Sequence, residues 1–108
     1  MISDKKLNIN VVTGTRADFG LLKQLIKKIN NDNQLNLSLS VTGSHLSLIH
    51  GETINEIINE GLKIDSKVDL KLKFDTPKAI SDATANGIKG FAKLFSKFKP
   101  DLLIILGD

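Results

Sequence analysis

Val11-Val12-Thr13-Gly14-Thr15-Arg16 closes an apolar run that opens at Leu7, and the pattern returns twice, in Leu39-Ser40-Val41-Thr42-Gly43-Ser44-His45 and Leu103-Ile104-Ile105-Leu106-Gly107-Asp108. Each run ends in a glycine followed by a polar or charged residue. As parallel strands of one sheet, the three would deliver Arg16, His45 and Asp108 to the carboxyl edge, where open α/β sheets bind their ligands. One guanidinium, one imidazole and one carboxylate would then share a crevice.

The segments between these runs support that reading. Leu22, Leu25, Ile26 and Ile29 follow the i, i+3, i+4, i+7 spacing of an amphipathic helix. Thr15, with Asp18 three residues on, fits a capping box at its start, and Asn30-Asn31-Asp32-Asn33 turns the chain at its end. From Leu35 to Val41 apolar and polar residues alternate strictly, which places Leu35, Leu37, Leu39 and Val41 on one face of a second strand. Ile54, Ile57, Ile58 and Leu62 return to helical spacing, with Gly61 where a left-handed cap belongs. Ile64 to Leu70 reads as a weaker strand, and Leu70 to Pro77 as an exposed loop.

A long helix follows in which Ile88, Phe91, Phe95 and Phe98 share one face, while Lys89, Lys93 and Lys97 form a solvated stripe. Pro100 stops it. Asp101 to Leu106 is apolar enough for a strand covered by helices on both faces. The order β-α-β-α-(β)-α-β calls for parallel pairing through crossover helices, hence an α/β, Rossmann-like sheet. A buried strand ending in Gly-Asp ordinarily hands the chain to another loop and helix, so the 108 residues are expected to be the front part of a longer protein.

Composition narrows the class. The chain holds 14 lysines and one arginine against 12 acidic residues, a net charge of +3 spread over several segments, with no Trp or Tyr. Clustered arginine with interleaved aromatics is missing, which argues against nucleic acid as a partner. No apolar run approaches the roughly 20 residues of a membrane span, and no signal-peptide pattern opens the chain. With no cysteine either, a cytoplasmic address is the expectation.

Gly14-Thr15-Arg16 precedes a helix N-terminus, where backbone N–H groups, the helix dipole and an arginine fork together favour an anion. The run carries neither a G-x-G-x-x-G fingerprint nor a P-loop, so neither a nicotinamide cofactor nor a Walker-type site is indicated. His45 could exchange a proton or hydrogen-bond a ligand near neutral pH, and Ser44 could hydrogen-bond one too. Asp108 ends the most apolar strand, where a carboxylate costs free energy unless solvated or paired. Each has a plainer alternative: a surface arginine at a turn, a loop histidine bonded to backbone, a simply exposed aspartate. His50 reads as structural, and Asp65, Asp69, Asp75 and Asp82 as surface. No metal-ligand spacing occurs.

Taken together, Val12 to Leu22, Val41 to Ser47 and Pro100 to Asp108 resemble the UDP-N-acetylglucosamine 2-epimerase family, specifically its hydrolysing branch serving sialic and related nonulosonic acid biosynthesis. The resemblance implies a two-domain fold like the GT-B glycosyltransferases, with the active site between two Rossmann-like domains and residues 1–108 forming part of the first. It implies conversion of a UDP-sugar, UDP-N-acetylglucosamine or a diacetamido relative, by elimination of UDP to a 2-acetamidoglucal and addition of water, with no organic cofactor or metal. A homo-oligomer of the full-length enzyme is expected. By position, Arg16 matches the family's first-loop arginine near the diphosphate, with Gly14, Thr15 and Ser44 beside it as substrate-binding candidates. Asp108 matches the Asp of a Gly-Asp-Arg motif and His45 the Gly-Ser-His-Leu histidine, the catalytic candidates. Ser47-Leu48-Ile49-His50 departs from the family pattern, and because the chain ends before the motif's arginine the fragment alone is expected to be inactive. Two rivals remain, a non-catalytic Rossmann-like nucleotide-binding module and a GT-B glycosyltransferase.

Overall fold

In the computed structural model, which describes residues 6–46 and 53–106, the first apolar run becomes strand β1 (Leu7–Thr13) near the middle of a four-stranded sheet. It is followed by α1 (Arg16–Asn30), β2 (Leu35–Thr42), a single 3-10 turn (Gly43–Leu46), the short α2 (Ile54–Asn59), β3 (Ser66–Val68), α3 (Pro77–Phe98) and β4 (Leu102–Ile105). The strands lie in the order β3-β2-β1-β4 and every pair is parallel, as helices between strands require.

Period-two alternation gives the sheet two unlike faces. On one, Ile9, Val11 and Thr13 stand opposite Leu37, Leu39 and Val41, and Phe19, Leu22, Ile26 and Ile29 of α1 with Ile57 of α2 close over them into the core. On the other, polar side chains meet strand to strand. Asn10 Nδ2 lies 2.9 Å from both Ser38 Oγ and Ser40 Oγ, and Ser40 Oγ lies 2.6 Å from Ser66 Oγ. Among the described residues, Asn10 Oδ1 has no partner.

Both outer strands are fastened at their starts in the same way. Asp65, just ahead of β3, accepts from Leu39 N through Oδ2 at 2.7 Å and donates its own N–H to Leu39 O. Asp101, just ahead of β4, does the same with Asn8. Asp65 is thus half-buried and structural rather than the surface residue its spacing indicates.

Within these residues β4 stands at the sheet edge beside β1, with Leu102, Leu103 and Ile105 exposed. One further expectation is corrected. In α3 the buried residues are Ala83, Gly87 and Leu94, while Ile88 is 68% exposed and Phe91, Phe95 and Phe98 are only half-buried. Small residues decide that orientation, because a Cβ on Gly90 would stand 2.6 Å from Val68 Cγ1 and one on Gly87 3.1 Å from Leu70 Cδ2. The helix approaches the sheet along its glycines, and the larger rings are left at the flank. α2 also stops sooner than its apolar spacing indicates, at Asn59, with Gly61 at φ +78° turning the chain as expected.

Candidate substrate-binding site

The loop after β1 is held from several sides. Thr15, extended at φ −143°, caps α1 by accepting from Asp18 N at 3.0 Å, while Asp18 Oδ2 accepts from Gly14 N at 3.3 Å. The capping box therefore forms, with its carboxylate reaching one residue farther back than usual. Gly14 O accepts from both Ser44 N, at 2.9 Å, and Ser44 Oγ, at 3.1 Å, which ties the loop after β1 to the turn after β2. That contact depends on Gly43. Its φ is +62°, and an added Cβ would lie 2.7 Å from Gly14 O.

Beneath the joined loops sits His45, 2% exposed. Nε2 is 3.0 Å from Thr13 Oγ1 and Nδ1 is 2.8 Å from Thr53 Oγ1. Each ring nitrogen thus meets a hydroxyl that can donate or accept, so the neutral ring is held at both ends in either tautomer, and Thr13 Oγ1 also lies 3.4 Å from Thr15 O. Burial lowers the imidazole pKa below its ordinary value, an effect that the nearby Asp18 carboxylate, the Thr15 backbone and Glu56 only partly offset.

Arg16 opens α1 at the carboxyl edge with its side chain 72% exposed, and Nε lies 3.0 Å from Glu56 Oε1 of α2. At the other end of α2, Glu60 accepts from Lys23 Nζ and Lys27 Nζ of α1, which draw its carboxyl below the usual range. Arg16, Phe19, Gly20, Lys23, Glu56 and Asn59 line the groove between the two helices.

The structure therefore brings Gly14, Thr15, Arg16, Ser44 and His45 together at one edge. Val12 pairs with Ile105, so β4 also finishes there; Asp108 itself, like His50, lies outside the described residues. Thr13, Thr53 and Glu56 were not among the residues singled out from sequence. The signal for two of them exists, since Thr53-Ile54-Asn55-Glu56 has the S/T-x-x-E form of a capping box. Among the described residues, no three metal-ligating side chains converge.

A parallel sheet flanked by helices, with two loops joined at its carboxyl edge, defines a Rossmann-like α/β fold, and solved structures share it. The Neisseria meningitidis UDP-GlcNAc 2-epimerase, crystallised bound to UDP-GlcNAc, superposes with a TM-score of 0.73 at 20% identity, over 94% of this chain and 26% of that one. A putative UDP-N-acetylglucosamine 2-epimerase from Listeria monocytogenes gives 0.77 at 16% identity, over 95% and 25%.

Sequence comparison goes further than the fold. The family model described as UDP-N-acetylglucosamine 2-epimerase matches residues 27–108, and the chain belongs to that family. It is 37% identical over 103 residues to a GDP/UDP-N,N'-diacetylbacillosamine 2-epimerase (hydrolyzing) of Campylobacter jejuni, covering 95% of this chain and 27% of that protein. It is 34% identical over 97 residues, 90% of this chain, to two others. These are a UDP-N,N'-diacetylbacillosamine 2-epimerase (hydrolyzing) of Legionella pneumophila, 26% covered, and a UDP-N-acetylglucosamine 2-epimerase of Neisseria meningitidis, 25% covered. The chain thus spans about a quarter of the length of these relatives. No helix among the described residues is long and apolar enough to cross a membrane.

Proposed function

We propose that these residues form the first part of a hydrolysing UDP-sugar 2-epimerase, with UDP-N-acetylglucosamine as substrate and N-acetylmannosamine and UDP as products. In this reading a base takes the C2 proton, the C1–O bond breaks and UDP departs to leave a 2-acetamidoglucal. Water then adds its hydroxyl at C1 and a proton returns to C2 from the opposite face. The observation that carries the reading is Arg16, at the start of α1 on the carboxyl edge of the sheet, with its side chain 72% exposed and Nε 3.0 Å from Glu56 Oε1. A guanidinium there offsets the charge that builds on the departing diphosphate.

Gly14, Thr15 and Ser44 shape the loop that presents Arg16, and Asp108 is the acid/base candidate beside the sugar. His45 belongs to the same proposal, although proton transfer by its ring would require one of its two hydroxyl bonds to open. Homo-oligomeric assembly, independence of cofactors and metals, and inactivity of these 108 residues alone rest on the family resemblance, and a cytoplasmic address on composition. A second reading, a UDP-diacetamido sugar as substrate, draws on the names of the Campylobacter and Legionella relatives.

A coupled assay for UDP release by the complete polypeptide, run with both sugar nucleotides, tests the proposal. Arg16→Ala and Asp108→Asn should each lower kcat/KM by roughly 10²-fold. Undiminished turnover in both variants would count against the site, and nucleotide binding without UDP release would favour a non-catalytic module.

A further inference from the structure

Thr53-Ile54-Asn55-Glu56 has the sequence of a capping box, yet neither end of it caps. Thr53 stands at the N-cap position of α2 with φ −65° and ψ −13°, and its side chain makes no capping bond. A threonine there ordinarily satisfies an orphaned N–H of its own helix, a contact typically worth about 1 kcal/mol. Its hydroxyl is instead 2.8 Å from His45 Nδ1, and the Glu56 carboxylate instead lies 3.0 Å from Arg16 Nε. Both groups that the local sequence assigns to α2 are spent on the loops carrying the candidate site. Departures from local rule of this kind concentrate at functional or strained positions.

We propose that Thr53 is a positioning residue: its hydroxyl fixes the His45 ring, which fixes Thr13 at the end of β1 and so aligns the Gly14–Arg16 loop. The contacts run in sequence: Thr53 Oγ1 to Nδ1 at 2.8 Å, Nε2 to Thr13 Oγ1 at 3.0 Å, and Thr13 Oγ1 to the carbonyl of Thr15, the residue before Arg16, at 3.4 Å. From the same short helix Glu56 orients the guanidinium directly, so a shift of α2 would displace the arginine through two contacts. Ile57, fully buried between them and the core, keeps α2 in register with α1. Thr53 touches neither substrate nor reacting atoms in this arrangement and acts only through His45.

The inference rests on Arg16 holding the substrate diphosphate, so its signature is in binding. In the complete polypeptide, Thr53→Val, which keeps the shape and removes the hydroxyl, should raise KM for the UDP-sugar about fivefold, with any fall in kcat smaller than that. Thr53→Ser should restore KM to within about twofold of the parent, because the hydroxyl returns. Nitrogen-detected NMR of the His45 ring should find the same tautomer balance in the parent and the serine variant, and a different balance in the valine variant. Unchanged KM in Thr53→Val, equal behaviour of the valine and serine variants, or one tautomer balance in all three would each overturn the proposal. Should the parent release UDP from neither sugar nucleotide, the proposed function fails, and the tautomer comparison still decides the Thr53 bridge.

Discussion

β1 and β4 lie side by side and in register, yet they invert the usual relation between composition and burial. β1 holds two asparagines and a threonine in seven residues, and Asn10 and Thr13 are fully buried. β4 is Leu-Leu-Ile-Ile, and three of its four side chains are exposed. Position in the sheet accounts for the difference. Within these residues, which span about a quarter of the relatives' length, β1 has a strand on each side, α1 over one face and a ladder of hydrogen-bond partners on the other, whereas β4 has one neighbour. Hydropathy says what a strand tolerates on its faces, and topology decides what it meets there.

Two identical substitutions put the largest strain on that contrast. Ile9→Ala in β1, where the side chain is 5% exposed, should cost about 3 kcal/mol of unfolding free energy. Ile105→Ala in β4, 62% exposed in these 108 residues, should cost them about 0.5 kcal/mol. Chemical denaturation of both variants measures the gap, and equal losses would break the comparison.

The joined loops above β1 allow a finer test. Gly43→Ala adds a left-handed residue and a collision with Gly14 O, and should cost about 2 kcal/mol. Gly61→Ala has the same backbone sign with nothing within 4 Å of the new Cβ, and should cost about 1 kcal/mol. If both lose the same stability, the Gly14–Ser44 contact is not what demands glycine.

The smallest effect is a pH dependence. Burial keeps the folded-state pKa of His45 below its unfolded value, so the unfolded chain binds this proton first as pH falls. The stability that the neutral ring contributes is therefore complete above about pH 6.5 and lost as pH drops through the folded value. Thermal midpoints between about pH 8 and 5 should fall less steeply in His45→Gln than in the parent. Parallel slopes would mean that the ring does not titrate differently in the two states.

Much of the fold was readable from the chain. Period-two and period-3.6 spacing located β1, α1, β2 and the later helices, and glycine-terminated apolar runs gave the parallel order. The face of α3 was not readable, because spacing reports Ile88, Phe91, Phe95 and Phe98 as a stripe but is silent on Gly87 and Gly90, which permit the closer approach. At the site, Gly14, Thr15, Arg16, Ser44 and His45 were marked by their place after strands. Thr53 and Glu56 escaped because a capping motif explains them locally, and only the tertiary arrangement shows their hydroxyl and carboxylate turned elsewhere.

The asparagine and serine line on the second face acts as an index mark for assembly. Were β1 to slip one residue along β2, Asn10 would swing into contact with the aliphatic layer and Ile9 and Val11 would turn away from it. A purely aliphatic strand on both faces would lack that penalty and could settle in several alignments. With its Oδ1 unmatched, the Asn10 amide adds less cohesion than its neighbours imply; what it supplies is a single permitted alignment, which in turn sets the height at which Thr13 and Thr42 end and the two loops can meet.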